Sequence, residues 1–246
     1  MKRVLLAINK PQHFPAIRSF PVIIRVTTLV IISLFSGVIH AQTGVAGPAP
    51  EYRKVIHDRV VKIVNVLGIT DSTKYNQAVE TVSSQYFALN SIHEKSKADL
   101  ARIKQDVAAE KQPEEIKKED ETKSAELKQQ HDKFIAQLKK DLTSEQVEKI
   151  KDGMTYNVLN VTYTAYQDMI PALTKEQKDK IYSWLVEARE LAMDAASSDK
   201  KHAVFGKYKG RINNYLSQAG YDMKKEEKAW QARIKERQQN KSEATN

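Results

Sequence analysis

Cysteine is absent from the chain, which excludes a disulfide framework, a thiolate nucleophile and the lipid-modified leader of a lipoprotein. There is no glycine-rich phosphate loop, no nucleophile elbow and no His-Glu-x-x-His pair, so the compact signatures of phosphoryl transfer, serine hydrolysis and zinc hydrolysis are missing. Nor does any apolar run reach the ~20 residues that a membrane-spanning helix needs. The apolar run from Val26 to Ile39 offers 14 residues between Arg25 and His40. It follows Lys2, Arg3, Lys10, Arg18 and Arg25 without one acidic residue and ends at Ile39-His40-Ala41. A positive front, a short apolar middle and a small residue at the end describe a secretory signal peptide over 1–41, cleaved near Ala41. The expected destination is periplasmic or secreted, with no membrane association after cleavage.

Removing that leader takes away five of the 40 basic residues and none of the 31 acidic ones, so the formal charge falls from +9 to +4. Both signs are interspersed along the rest of the chain. A phosphate-tracking surface would concentrate lysine and arginine on one face, so nucleic acid is not an expected partner. About 205 residues remain, enough for one domain or two small ones.

Apolar spacing then predicts helix nearly throughout. Gly44 to Pro50 reads as a flexible linker (42–50), followed by an amphipathic helix marked by Tyr52, Val55, Ile56, Ile63 and Leu67 and ended at Gly68. From Tyr75 through Val79, Val82, Tyr86, Leu89, then His93 and Ser96, then Leu100 and Ile103 to Val107, steps of four and three describe one long helical seam. Gln112-Pro113 breaks it, and Ile116, Leu127, His131, Phe134 and Leu138 continue the spacing in a second helix. The expectation is an all-α fold: a helical bundle with a long charged two-helix hairpin (51–141), a C-terminal helical subdomain (142–240) and a disordered tail (241–246). Lysine and glutamate dominate between Lys104 and Ala125, so the hairpin tip should project into solvent.

In the C-terminal half, Gly153 and the stretch Tyr156 to Val161 interrupt the pattern and suggest an extended or irregular segment. A helix from Lys175 to about Ala196 carries Ile181, Trp184, Leu185, Ala188 and Leu191; the next, from about Asp199, carries Phe205, Ile212 and Leu216 and stops at Gly220. Asp222 caps a last helix carrying Trp230 and Ile234. Leu142-Thr143-Ser144-Glu145-Gln146 recurs as Leu173-Thr174-Lys175-Glu176-Gln177, and each reads as a capping box, with the threonine and the N3 glutamine exchanging hydrogen bonds. The same pair of Leu-Thr-x-x-Gln segments also resembles the motifs of Spy- and CpxP-type periplasmic chaperones, which hold unfolded clients.

A wider resemblance runs from Glu145 to Arg233. Lys151-Asp152-Gly153-Met154-Thr155-Tyr156, Val161-Thr162-Tyr163, Trp184-Leu185-Val186-Glu187-Ala188-Arg189-Glu190 and Gly206-Lys207-Tyr208-Lys209-Gly210-Arg211-Ile212-Asn213-Asn214-Tyr215-Leu216 resemble a secreted bacterial helical family, domain of unknown function 3826. That resemblance implies a signal-bearing protein of polysaccharide-degrading bacteria, encoded near glycan-degrading enzymes, and implies no reaction.

Gly206 and Gly210, one turn apart, form a flat strip suited to close packing against the Trp184 helix. Lys207, Arg211 and Asn214 share one stripe, and Glu187, Glu190 and Asp194 share a stripe of the preceding helix. The two stripes could pair with each other, or line a groove. In the groove Lys207 and Arg211 would take a carboxylate while Trp184, Tyr208 or Tyr215 stacks on an apolar face. Candidate ligand-binding residues are thus Trp184, Glu187, Glu190, Asp194, His202, Lys207, Arg211, Asn214 and Tyr215, with an acidic glycan or an unfolded or partner protein as ligand. No catalytic residue, metal or cofactor is assigned. The alternative is a glycan-active enzyme centred on Glu187, Glu190, His202 and Arg211, although two carboxylates on one helix turn lack the separation across a scissile bond that glycoside cleavage requires. His93, inside an otherwise apolar seam beside Ser96, is expected in a hydrogen-bonded polar layer.

Overall fold

The computed structural model describes residues 49–243. The expected leader and the linker up to residue 48 lie outside them, as do residues 244–246 of the expected tail. The described residues form eight helices and no strand: α1 (Pro50–Asn65), α2 (Ser72–Asp106), α3 (Gln112–Asp141), α4 (Ser144–Met154), α5 (Val158–Met169), α6 (Lys175–Met193), α7 (Ser198–Gln218) and α8 (Met223–Glu243). The fold is all-α, as the spacing predicts. Among the described residues no helix is long and apolar enough to cross a membrane.

Local chemistry accounts for the boundaries. Pro50 opens α1, where its missing N–H is not needed, and Gly68 takes a φ of +68° just past its end. Asp71 caps α2 by accepting from the Lys74 amide at 2.9 Å. Both expected capping boxes are present, Thr143 with Gln146 at α4 and Thr174 with Gln177 at α6. Asp222 accepts from the amides of Lys224 and Lys225 at the start of α8.

Helices α2 and α3 form the long hairpin. With 35 residues, α2 is about 50 Å long. Its buried residues stop at Ser96 and those of α3 are Phe134 and Leu138, so only the base of the hairpin is packed into a core. Within that base Gln130 donates to the buried Gln85 at 2.7 Å, and further out Lys95 pairs with Glu126 at 2.5 Å. At the tip the Gln112 side chain donates to the carbonyls of Lys104 and Val107, satisfying the open end of α2.

Apolar side chains gather in two clusters. One joins Ile56, Val60, Ile63 and Val64 of α1 to Val82 and Tyr86 of α2, Phe134 and Leu138 of α3, and Val147, Ile150 and Met154 of α4. The other joins Leu159 and Tyr166 of α5 to Ile181, Trp184, Leu185, Ala188 and Ala192 of α6 and Phe205, Ile212 and Leu216 of α7. Helix α6 serves both, because Met193 at its end belongs to the first cluster.

Two local expectations are corrected. The stretch Tyr156 to Val161 is neither extended nor irregular beyond residue 157: Val158 already starts α5, and the break is confined to 155–157, with Tyr156 and Asn157 both left-handed. Gly153 does not interrupt the helix but lies inside α4, where a Cβ would meet Ile63 Cγ2 at 2.9 Å. The close approach expected at Gly206 and Gly210 is absent. A Cβ at either position would meet nothing within 4 Å, so these two glycines face open space rather than the Trp184 helix.

Candidate functional site

The candidate residues divide into two groups on opposite sides of α6. Trp184, Glu187, Arg211 and Tyr215 come together where α6 and α7 run side by side. The Trp184 indole is 8% exposed and meets Tyr215 edge to face, with ring centroids 5.3 Å apart. The Arg211 guanidinium lies 4.5 Å from the indole centroid and the Lys180 amine 5.1 Å from it, so two cations are drawn to one π-system. Arg211 also pairs with Glu187 at 3.6 Å, both side chains more than half exposed. Burial and the neighbouring Glu187 carboxylate push the Tyr208 hydroxyl up to about 12. Lys207 and Asn214 are exposed on the same helix.

Glu190 and Asp194 leave this face altogether and turn into the junction between the base of the hairpin and the end of α6. Arg189, only 3% exposed, donates to Asp152 at 2.7 Å and to Glu190 at 3.3 Å and also pairs with Glu148. Lys151 completes the group, 3.1 Å from Glu190 and 3.4 Å from Glu148. From the hairpin, the His131 ring reaches Asp194 at 2.8 Å through Nδ1 and Glu190 at 3.5 Å through Nε2. His93 Nε2 lies 2.7 Å from the Asp194 carbonyl, so both arms of the hairpin hold the same residue. His93 is therefore hydrogen-bonded as its place in the seam suggests, although its partner is the end of α6 and not its neighbour Ser96.

Electrostatics follow from this packing. Hydrogen bonds to Asp194 and Glu190 raise the His131 pKa to about 9. Burial pushes Glu190 upward, but His131, Lys151 and Arg189 together hold it down at about 2. Lys201, 4% exposed, donates to the carbonyls of Ala192 and Met193 at 2.9 and 2.8 Å and so caps α6 from within the core. Burial brings its pKa down to about 8.

His202 belongs to neither group. It stacks on Tyr156, with ring centroids 5.7 Å apart and planes 12° from parallel. The nine candidates thus do not form one groove. Arg189, Lys151, Lys201 and Tyr156 are absent from the candidates that helix-face spacing selects. The three buried cations had a signal: each sits at a core position of its helix, Arg189 four residues after Leu185, Lys151 four after Val147 and Lys201 four before Phe205. No such spacing marks Tyr156. Among the described residues no group of three or more acidic, histidine or cysteine side chains is arranged to hold a metal ion.

An all-helical bundle with a charged hairpin clamped onto its carboxyl-terminal helices through a buried ion network is the class of protein defined by these features. The family model described as protein of unknown function (DUF3826) matches residues 53–236, and the chain belongs to that family. No curated protein matches it.

Proposed function

We propose that the protein is an exported, non-catalytic binding protein that takes an acidic polysaccharide on the face shared by α6 and α7. The observation that carries this reading is the separation of Glu187 from Glu190. A glycosidase acid must hold a proton near its working pH, whereas Glu190 is held at about 2 by three cationic neighbours. Glu187 is exposed and paired with Arg211 on the other side of the helix. That exposed pair contributes only about 0–1 kcal/mol, so a ligand carboxylate can displace Glu187 and take the guanidinium bidentately. Trp184 holds the guanidinium in place, and Lys180 and Lys207 extend the positive face. The polysaccharide-degrading setting implied by the family resemblance agrees with such a ligand.

A client-holding role like that of the Spy-type chaperones has less support, because both Leu-Thr-x-x-Gln segments are engaged in helix caps. Calorimetric titration of the purified protein with polygalacturonate and with its methyl ester tests the proposal. The acid form should bind, the ester should not, and Arg211→Ala should weaken binding at least tenfold. Binding of neither polymer, or binding indifferent to Arg211→Ala, would refute it.

A further inference from the structure

Tyr156 and Asn157 are the non-glycine residues with positive φ among the described residues, at +58° and +56°. They end α4, at the position where helices favour glycine or asparagine. A tyrosine there is disfavoured, because its Cβ crowds the following carbonyl oxygen. The turn itself does not need the phenol. The Asn157 amide donates to the Asp152 carbonyl at 2.7 Å, and the Asn160 side chain ties Asp152 and Asn157 together at 2.8 and 2.6 Å. Backbone strain that the hydrogen bonds of the turn do not require is a pointer to function. The Tyr156 ring is 42% exposed although it stacks on His202, itself exposed.

Arg59 shares a neighbour with Tyr156. Its guanidinium lies 5.6 Å from the centroid of the Tyr86 ring and hydrogen-bonds that residue, and Tyr86 lies within the fields of both Arg59 and Tyr156. Arg59 is half-buried and forms no ion pair with a carboxylate among the described residues. The buried Lys201 amine, next in the chain to His202, lies within the field of the same guanidinium. A half-buried arginine with no carboxylate partner among the described residues, near a second buried cation, favours an incoming oxyanion.

We propose that Tyr156, His202 and Arg59 form a binding platform for a sugar carrying an anionic group. The stacked ring pair offers a flat apolar surface for the C–H face of a pyranose. The Tyr156 hydroxyl can donate to and accept from sugar hydroxyls. Arg59 takes the carboxylate or phosphate. The platform shares no residue with the Trp184–Arg211 face, so the two can fail independently.

Nuclear magnetic resonance of the aromatic side chains, with digalacturonate, glucose 6-phosphate and neutral cellobiose as probes, tests this. The ring signals of Tyr156 and His202 should shift with an anionic sugar and not with cellobiose. A response to digalacturonate alone assigns a carboxylate, a response to glucose 6-phosphate alone assigns a phosphate, and a response to both supports a general oxyanion site. Arg59→Met and Tyr156→Gly should each weaken that binding at least tenfold, while Arg211→Ala leaves it unchanged. Because glycine is at ease at this φ, Tyr156→Gly should hold or raise the melting temperature. Absent ring shifts, an equal response to cellobiose, or unchanged affinity in Tyr156→Gly would overturn the assignment. So would a fall in the melting temperature of that variant, which would make Tyr156 a packing residue.

Discussion

The His131 imidazole in α3 lies 2.8 Å from the Asp194 carboxylate at the end of α6, joining residues that are 63 positions apart. That contact makes the attachment of the hairpin pH-dependent. The folded pKa of His131, about 9, stands above its ordinary value of 6.5. Its contribution is therefore fully present below pH 6.5 and is lost as the pH rises through 9. Glu190 runs the other way: depressed to about 2 from 4.5, it contributes above pH 4.5 and fades as the pH falls through 2. Lys201, depressed to about 8 from 10.5, destabilises the fold below pH 8 and recovers between 8 and 10.5. Denaturant titrations should show stability falling by roughly 1 kcal/mol from pH 6.5 to 7.5, where His131 loses its proton in the unfolded chain and Lys201 is still largely charged. His131→Gln should flatten the profile there. An unchanged slope in that variant would remove His131 from the account.

Arg189 is the hub of the same junction, and three carboxylates face it. Replacing it with alanine leaves them without their shared cation. Loss of one partner from a buried ion pair costs about 3–5 kcal/mol, but Glu148 is half exposed and water can reach it, so a loss of about 2–3 kcal/mol is expected. Adding Asp152→Asn should recover part of that loss, since the two residues are directly bonded. Strict additivity in a double-mutant cycle would show that they do not interact.

The glycines should respond with opposite signs. Gly153→Ala places a methyl group 2.9 Å from Ile63 Cγ2 and 3.0 Å from Cγ1. Overpacking of this kind costs about 1–3 kcal/mol against a helix-propensity gain of about 1 kcal/mol, for a net loss of up to ~2 kcal/mol. Gly206→Ala and Gly210→Ala add a methyl group where nothing lies within 4 Å, so each should stabilise by up to ~1 kcal/mol. Thermal unfolding of the three variants decides the matter. Destabilisation at 206 or 210 would mean that the strip is covered in the folded protein and not open.

Helix positions and caps were legible because they depend on neighbours in sequence: Asp222 and the two threonine caps lie within three residues of the amides they satisfy. The candidate site was only half legible. Trp184, Glu187, Arg211 and Tyr215 meet because spacing alone sets which residues share a helix face. Glu190 and Asp194 share that spacing with Glu187, yet they turn to partners on α3 and α4, and helical periodicity carries no information about which neighbouring helix lies beside a stripe. Gly206 and Gly210 misled for the same reason. Residues that permit a close approach do not reveal whether a partner uses it, whereas at Gly153 the partner is Ile63.

Asp168, near the end of α5, gathers α8 by three side chains. Trp230 donates to its carboxylate at 2.6 Å and Arg237 grips both oxygens at 3.1 and 2.6 Å. Arg233 donates to the carbonyls of Asp168 and Met169. Helix α8 is rich in charge and has few apolar residues, with Met223, Trp230 and Ile234 all half-buried, so the hydrogen bonds to Asp168 carry an unusual share of its docking, the Trp230 indole more than the exposed Arg237, whose pairing water screens. Arg237 and Trp230 hold the Asp168 carboxyl below its usual range, so the anchor is present at neutral pH and is lost on acidification below the ordinary aspartate value. Asp168→Ala should let α8 separate from α5 at neutral pH. Amide exchange in residues 223–240 should then accelerate by at least tenfold while α6 and α7 keep their protection, and Trp230 emission should move to longer wavelength. Asp168→Asn, which keeps an acceptor for the indole but loses the charge that Arg237 grips, should fall between the two. Full protection of α8 in Asp168→Ala would show that the packing of Trp230 and Ile234 holds the helix without the carboxylate.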